Sequence, residues 1–489
     1  MTFSPPLRLL TAAVLTVALT LGGCDSFVDT SPISNPSRAS FYQSQEDFQT
    51  ALAGAYDALQ LTGTFSNNYW MLFEMRADNT DQGPDQTGLA QKIALLNQFE
   101  ETTTNELVQQ AWVDTYDGIE RTNIILDQID NLPDGAFKDQ VRGEALFLRS
   151  LYYYHAAVAW GNITLKTTST RGPDQAAQAT GQTDGPGPVY EQIAGDLEAA
   201  QALLPASYEG NASYKATSGA ANALLGEVYL TMGQKSDAAT ALQRVIDSGE
   251  YRLLNNYGDL WGPSNENNDE SIFEVQYTPA SGEGSPFTNT FSPSSDLQVG
   301  EGLAENRPTP SMENAYFDKS GERFQASMDT SYVDAEGQTQ LARFITKYES
   351  EPFANFEAEN NWIVLRYADV LLMMAEAIGP TGTTTDGRDG WDLINEVRTR
   401  AGLADVQENN FYERLLRERR VELAFENHRW PDLKRFEQYI SGVALDRTQD
   451  EVSGLTSDNF NLLYPIPQRE VDVADLNQNA GYAGGGGGS

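Results

Sequence analysis

Apolar residues recur at intervals of three and four along most of the chain, and this spacing predicts a mainly helical protein. The pattern begins after Gln43, where Phe48, Leu52 and Ala55 would share one face of a helix. It continues through residues 105–130, 140–161, 361–379 and 390–403.

Residues 216–249 carry the clearest helical pair. Five positions follow the spacing of a tetratricopeptide repeat, in which small residues let one helix cross closely over the next: Leu225, Gly226, Tyr229, Ala238 and Leu242. Helix pairs of similar length with degenerate repeats occupy 105–158 and 362–400. We therefore predict an array of paired helices.

The pattern changes in the range 255–340, where periodic runs give way to Gly-, Pro-, Ser- and Asn-rich sequence. Inside it SIFEVQYT, residues 271–278, alternates as a β-strand does. We predict a mainly α fold in which a tetratricopeptide-like helical scaffold, residues 43–254 and 341–482, carries a loop-rich insertion containing short strands. The whole is expected to be one domain, residues 43–482.

The first residues have the pattern of a secretion signal. One basic residue, Arg8, precedes an apolar run from Leu9 to Leu21 that is too short to span a bilayer. Two glycines and Cys24 follow, which resembles a bacterial lipobox, and Cys24 is the only cysteine of the 489 residues. We expect Cys24 to be acylated and to hold the mature chain at a membrane surface. The predicted boundaries are a signal peptide at 1–23, a tether at 24–42 and a flexible glycine tail at 483–489.

The formal charge of −38 excludes nucleic acid as a partner, because phosphate backbones would be repelled. An acidic surface suits a salty habitat, where counterions screen the self-repulsion. A receptor that repels anions is the alternative interpretation.

Residues 417–436 concentrate arginines, carboxylates, a histidine and a tryptophan. We predict a helix from Phe411 to about His428, stopped by Pro431. One face is expected to pack through Phe411, Leu415, Leu416, Leu423 and Phe425. Ion pairs four residues apart are expected between Glu413 and Arg417 and between Arg414 and Glu418.

Catalytic chemistry has little support in this sequence. His428 and the only other histidine, His155, have no recognisable partner motif. The run DNTDQGPD, residues 78–85, lacks the ligand order of an EF-hand. No G-x-S-x-G elbow, H-E-x-x-H site or phosphate loop occurs. We therefore predict no catalytic residue, no metal and no cofactor.

Several segments together resemble one family. RRVELAFENHRWPDLKRF is similar to the signature of the SusD/RagB family of outer-membrane nutrient-binding lipoproteins. Four further segments agree in order: LFEMRADNT (72–80), LRYADVLLMMAEA (365–377), LINEVRTRAGL (393–403) and LLYPIPQREVDVADLNQNAGY (462–482). Asn427 stands where the family often has glycine, and asparagine tolerates a left-handed backbone.

The resemblance implies a helical fold of tetratricopeptide-like units on the outer face of the outer membrane. It also implies a partner, a SusC-like TonB-dependent barrel transporter over which the protein acts as a lid. The implied ligand is an oligosaccharide or, in some members, a peptide. In this interpretation the charged stretch belongs to the frame and performs no chemistry.

Sugar binding needs flat apolar faces and planar polar groups. The segment around residues 69–79 offers both, so our candidate ligand-binding residues are Tyr69, Trp70, Arg76, Asp78 and Asn79. The alternative is a helix end in which Trp70 is buried and Asp78 caps a turn. Four aromatic residues expected in exposed loops would serve the ligand surface or the transporter contact: Tyr257, Trp261, Phe287 and Phe291.

Two other functions stay open at this point. A surface-anchored helical glycoside hydrolase would need paired carboxylates, and acids are too common here for one pair to stand out. A repeat adaptor would assemble outer-membrane proteins without a small ligand.

Overall fold

The computed structural model describes residues 41–82, 87–172, 181–208, 214–280, 282–293, 299–407 and 409–482. Cys24 and the predicted signal peptide and glycine tail lie outside these residues. Within the described ranges the chain forms seventeen α-helices: α1 Gln45–Asp57, α2 Asn68–Phe73, α3 Gly88–Asn97, α4 Glu106–Gln128, α5 Ala136–Trp160, α6 Gly187–Leu203, α7 Ser218–Thr231, α8 Lys235–Ser248, α9 Phe287–Phe291, α10 Pro310–Ala315, α11 Glu322–Ser327, α12 Tyr367–Ile378, α13 Gly390–Arg400, α14 Phe411–Glu422, α15 Arg429–Phe436, α16 Val443–Thr448 and α17 Gln468–Ala474. Six short strands are β1 Thr80–Asp81, β2 Ser271–Val275, β3 Arg307–Pro308, β4 Met328–Val333, β5 Thr339–Ile345 and β6 Trp362–Arg366.

The longer helices pack in sequence order, α4 on α5, α5 on α6, α6 on α7 and α7 on α8, and α8 then meets α12. Glycines sit where two helices cross closely. A Cβ atom on Gly226 would lie 2.5 Å from the side chain of Leu242, and one on Gly118 would lie 2.4 Å from the ring of Tyr152. The close crossing predicted for residues 216–249 is confirmed, and the fold is a tetratricopeptide-like helical array.

The strands form three antiparallel pairs, β1 with β3, β2 with β6 and β4 with β5. The strand predicted in SIFEVQYT is confirmed as β2. The helix predicted to begin near residue 361 is wrong at its start, because Trp362–Arg366 is the strand β6, which pairs with β2. This run is buried throughout, and periodicity alone does not separate such a strand from a buried helix. The helices therefore resume at Tyr367.

The C-terminal helices differ from the predicted single helix. Helix α14 ends at Glu422, and a turn follows in which Phe425 and Asn427 have φ angles of 66° and 69°. Pro431 lies in the first turn of α15, where a missing N–H removes no intrahelical bond. The predicted stop at Pro431 is wrong, whereas the left-handed Asn427 is confirmed. The five predicted packing residues are buried: Phe411, Leu415, Leu416, Leu423 and Phe425.

One hydrophobic cluster runs from Tyr42 to Leu476. The C-terminal segment, residues 462–482, returns to the N-terminal half and contributes to this cluster. The hydroxyl of Tyr464 donates to the carbonyl of Leu72 at 2.7 Å, and Asn479 Nδ2 donates to the carbonyl of Trp160 at 2.9 Å. The C-terminal segment is thus packed against helices of the N-terminal half. In the residues described, no helix combines the length and apolarity needed to cross a membrane.

Candidate functional site

Buried ion pairs join the helices of the C-terminal half. Arg366, at the end of β6, lies at the centre with a side chain that is 1% exposed. Its Nη1 is 2.7 Å from Glu422 Oε1 and 3.0 Å from Glu270 Oε1, and its Nε is 2.7 Å from Glu426 Oε2. The residue before β2, the end of β6 and the end of α14 with the turn that follows it are therefore held together by charge as well as by apolar packing.

A second buried cluster connects α12, α14 and α15. Arg419 donates to Asp369 at 2.6 Å and to Asp432 at 2.8 Å. Arg435 donates to the other oxygen of Asp432 at 2.6 Å and to Glu376 at 3.0 Å. Carboxylates at these positions are committed to neighbouring guanidinium groups, which supports the prediction that the charged stretch is part of the frame.

The predicted acids of α14 have partners on other elements. Glu413 is 3.0 Å from Arg447. Glu418 accepts from Arg323 at 2.8 Å and from Arg398 at 2.9 Å. These ion pairs connect α14 to α11, α13 and α16.

The two histidines border the same small internal cavity. His155 stacks on Tyr69 at 4.6 Å, and its Nδ1 is 2.9 Å from the carbonyl oxygen of Leu151. Burial lowers the pKa of His155 to about 4, so the imidazole is neutral at physiological pH. His428 Nδ1 lies 3.9 Å from Asp369, beyond hydrogen-bonding distance. Both rings pack within the core.

The five candidate ligand-binding residues do not converge on one surface in this structure, and each is at most 1% exposed. Tyr69 and Trp70 lie on α2 inside the core. The hydroxyl of Tyr69 is 2.8 Å from Thr115 Oγ1, and Trp70 Nε1 donates to Asn67 Oδ1 at 3.0 Å. Trp70 is thus buried, as the alternative interpretation expected.

Arg76 lies in a separate cluster near the C-terminal segment. Its guanidinium carbon is 4.3 Å from the ring centroid of Phe99 and 4.1 Å from that of Tyr464. It also forms an ion pair with Glu101, and the hydroxyl of Tyr482 donates to the same carboxylate. Aromatic stacking and charge pairing together fix this side chain inside the fold.

Asp78 and Asn79 meet the C-terminal frame instead. Arg429 donates to both oxygens of Asp78, at 2.6 and 2.8 Å, and Arg420 is 3.1 Å from the same carboxylate. Arg420 Nε donates to Asn79 Oδ1 at 2.9 Å. Burial opposes ionisation here, but the two guanidinium groups outweigh it and lower the pKa of Asp78 to about 2. A ligand role for the five candidates stays a prediction that requires their surroundings to open.

The loop aromatics are not exposed as expected. Tyr257, Phe287 and Phe291 are at most 2% exposed, and only Trp261 among the four is partly exposed. Phe287 packs on Trp362 with ring centroids 5.0 Å apart. The insertion folds back on strand β6, so its aromatic residues fill the space between the loops and the scaffold.

The acidic run at 78–85 lies partly outside the described residues. Of its described acids, Asp78 binds the two arginines above and Asp81 accepts from Arg307 at 2.9 and 3.1 Å. Across the described ranges, no three His, Cys, Asp or Glu side chains are grouped as a metal site would need.

An open pocket of about 410 Å³ lies where α10, α14, α15 and α16 meet. Five arginines and a single acid are among its described lining residues: Arg414, Arg417, Arg420, Arg429, Arg447 and Glu413. Ser311, Asn314 and Asn410 add polar groups, and Ala315 and Leu416 add apolar surface. We call this the arginine pocket.

Sequence reasoning missed the arginine pocket. Arg414, Arg417 and Arg420 are spaced by three residues, which places them along one side of a helix. That spacing is a usable signal for a cationic side of the helix, and the ion pairs predicted for Arg414 and Arg417 along the helix stay a prediction. Arg429 and Arg447 arrive from α15 and α16, and no sequence spacing predicts that convergence.

The fold is that of a tetratricopeptide-like scaffold protein. Its paired helices are joined by buried charges, and an insertion folds against one side of them. Two family models match the chain without overlapping. One is described as "SusD family" and matches residues 335–482, and the other, "Starch-binding associating with outer membrane", matches residues 26–230. The chain belongs to the SusD/RagB family, as the motifs had predicted.

Individual relatives match almost end to end. SusD-like protein P38 from Formosa agariphila is 26% identical over 509 aligned positions, covering 94% of this chain and 96% of the relative. A solved laminarin binding SusD-like protein is 28% identical with a TM-score of 0.78, covering 90% of this chain and all of that one. Surface glycan-binding protein A from Bacteroides uniformis is 25% identical with a TM-score of 0.76, covering 89% of this chain and all of that one.

Proposed function

We propose that this chain is a cell-surface lipoprotein that captures an oligosaccharide and acts as the lid of a TonB-dependent outer-membrane transporter. The observation that carries the proposal is similarity over about nine-tenths of the chain to solved proteins named for binding laminarin and surface glycans. Capture is followed by handover: the protein binds ligand reversibly, closes over the barrel and leaves the energy for uptake to inner-membrane machinery.

The geometry of the frame supports binding without chemistry. The buried carboxylates Glu418, Glu422 and Asp432 of α14 and α15 are paired with arginines within the core, where they brace the scaffold. Recognition residues concentrate on irregular surfaces carried by rigid frames. The insertion and the pockets around it are therefore the surfaces that we assign to ligand.

Titration of the full chain with neutral oligosaccharides, acidic oligosaccharides and peptides tests the capture step. We expect saturable binding to at least one saccharide, with the ligand recovered intact after prolonged incubation. Cleavage over many turnovers would contradict the proposal and favour the glycoside hydrolase. Binding to peptides alone would contradict the oligosaccharide assignment.

The anchor and the partner have their own test. Replacing Cys24 by alanine should release the protein from the outer membrane, because the thiol is the expected site of acylation.

If the protein acts as a lid, a barrel transporter should copurify with the wild-type chain. Copurification without any saccharide binding would favour the adaptor, and the absence of a barrel would contradict the lid.

A further inference from the structure

The arginine pocket concentrates positive charge on a chain of net charge −38. Among the described residues, Glu413 pairs with Arg447, and Asp78 and Glu451 lie close to Arg420. The described lining of the pocket itself contains five arginines and one acid. Because the screening length is about 8 Å at physiological salt, an anion inside the pocket responds to these arginines more than to the distant acidic surface.

Contacts behind the pocket hold its cations in place. Asp78 braces both Arg420 and Arg429, whose side chains are 10% and 3% exposed. Arg420 also donates to Ser311 Oγ at 3.1 Å. Positioned guanidinium groups lose little conformational freedom when an anion binds, which favours affinity.

An aromatic ring fixes the cations along α14. The guanidinium carbons of Arg417 and Arg414 lie 3.9 and 4.9 Å from the ring centroid of Phe317. Stacking on a ring orients the planar guanidinium group and restricts its motion. Arg447 completes the set from α16, with a side chain that is 43% exposed.

Burial, together with the nearby Arg429 and Arg447, lowers the pKa of Arg420 to about 10 although Asp78 opposes the shift. An anion in the pocket would relieve this repulsion. The amides of Asn314 and Asn410 suit sugar hydroxyls, and Ala315 and Leu416 offer apolar contact.

We propose that the arginine pocket binds the anionic group of an acidic oligosaccharide, a uronate carboxylate or a sulfate ester. A carboxylate and a tetrahedral sulfate ester each present two neighbouring acceptor oxygens, which a guanidinium group can bind through paired hydrogen bonds. This inference rests on the proposed function and specifies its ligand class, because it places an acidic saccharide at a defined site.

Calorimetric titration of the full chain with a tetragalacturonate, a sulfated carrageenan tetrasaccharide, laminarihexaose and inorganic sulfate tests the proposal. At least one acidic saccharide should bind ten times more tightly than neutral laminarihexaose. The two acidic ligands separate carboxylate from sulfate as the anion. Affinity for that ligand should fall as salt rises.

The decisive variant is Arg417→Gln with Arg447→Gln, which removes two charges at the exposed part of the pocket and leaves Arg420 and Arg429 on Asp78. This double substitution should lower the affinity for the acidic saccharide by at least tenfold, because charge-assisted hydrogen bonds are lost. The matched control changes Arg142, which is 42% exposed and has one surface acid 3.6 Å away, together with the exposed Arg252. Both doubly substituted chains change charge equally, and the control should bind as wild type does.

Equal binding by the two doubly substituted chains would overturn the inference, as would acidic saccharides binding no better than neutral ones. Binding of inorganic sulfate without any acidic saccharide would overturn the saccharide assignment. If neutral saccharides still bind when this inference fails, the proposed function stands. If no saccharide binds, the proposed function itself is refuted. Unchanged melting temperatures verify that the substituted chains are folded.

Discussion

Replacing Arg366 by methionine tests whether buried charge holds the frame together. Methionine keeps an unbranched apolar stem and removes the guanidinium. That group lies within 3.0 Å of carboxylate oxygens of Glu270, Glu422 and Glu426. Without it, the three acids stay buried with less compensating charge.

The expected cost follows from what stays in place. Arg400 still pairs with Glu270, and Lys347 still pairs with Glu426 at 2.6 Å. Removing one partner from a buried ion pair costs about 3–5 kcal/mol, against a total stability of about 5–15 kcal/mol for a typical domain. We expect the free energy of unfolding at pH 7, measured by urea titration with circular dichroism, to fall by that amount.

The loss should also depend on pH. Burial opposes ionisation of Glu422 and Glu426, but Arg400, Arg366 and Arg323 outweigh it at Glu422, and the pKa values of both acids lie below the ordinary 4.5. A carboxylate with a depressed folded pKa contributes stability above its unfolded pKa and loses it as pH falls through the folded pKa. The difference between wild type and Arg366→Met should therefore shrink below pH 4.5.

The control is Arg252→Met, since the side chain of Arg252 is 74% exposed and pairs with Asp269 at the surface. Exposed pairs contribute about 0–1 kcal/mol, so this substitution should leave the free energy of unfolding nearly unchanged. The reasoning is refuted if Arg366→Met costs less than about 1 kcal/mol, or if its cost is the same at pH 7 and pH 3.5.

Three further substitutions or measurements address packing, burial and backbone strain. Gly226→Ala should lower stability by about 1–3 kcal/mol because its Cβ would meet Leu242, whereas Gly195→Ala, with open space around it in α6, should not destabilise; melting curves compare the two. His155 should titrate near pH 4 when followed by NMR. Because its folded pKa lies below the unfolded value of 6.5, about 3 kcal/mol of stability should be lost as pH falls from 6.5 to 4. A midpoint near 6.5 would contradict its burial. Asn427→Gly should be neutral or stabilising, whereas Asn427→Val should cost about 1–2 kcal/mol because of the positive φ angle; urea titration that gave equal stabilities would disprove the strain.

The strongly periodic helices could be predicted from the sequence, and so could the close crossing at Gly226, because local spacing determines both. The start of the region at 361–379 could not. Trp362–Arg366 is buried throughout, and only its pairing with the distant strand β2 selects a strand. The early end of α14 at Glu422 likewise depends on a turn that carries Asn427 against Glu74, far away in sequence.

Residue chemistry alone did not predict the burial of the candidate residues. Trp70 and Arg76 have side chains suited to sugar binding, but the fold places one against Phe291 and the other between Phe99 and Tyr464. Burial is decided by segments far away along the chain. The arginine pocket shows the converse, because its residues come from four elements and are brought together only where those elements meet.

The return of residues 462–482 to the N-terminal half has a consequence for how the chain matures. Tyr464 reaches Leu72, and Asn479 reaches Trp160, across separations of more than 300 residues. Contacts of such high sequence separation carry a loop-closure cost in entropy, which slows folding. The N-terminal half cannot make these contacts until residues 462–482 have been synthesised, and we expect a chain that lacks them to expose the apolar surface that Tyr464 and Ile466 now cover.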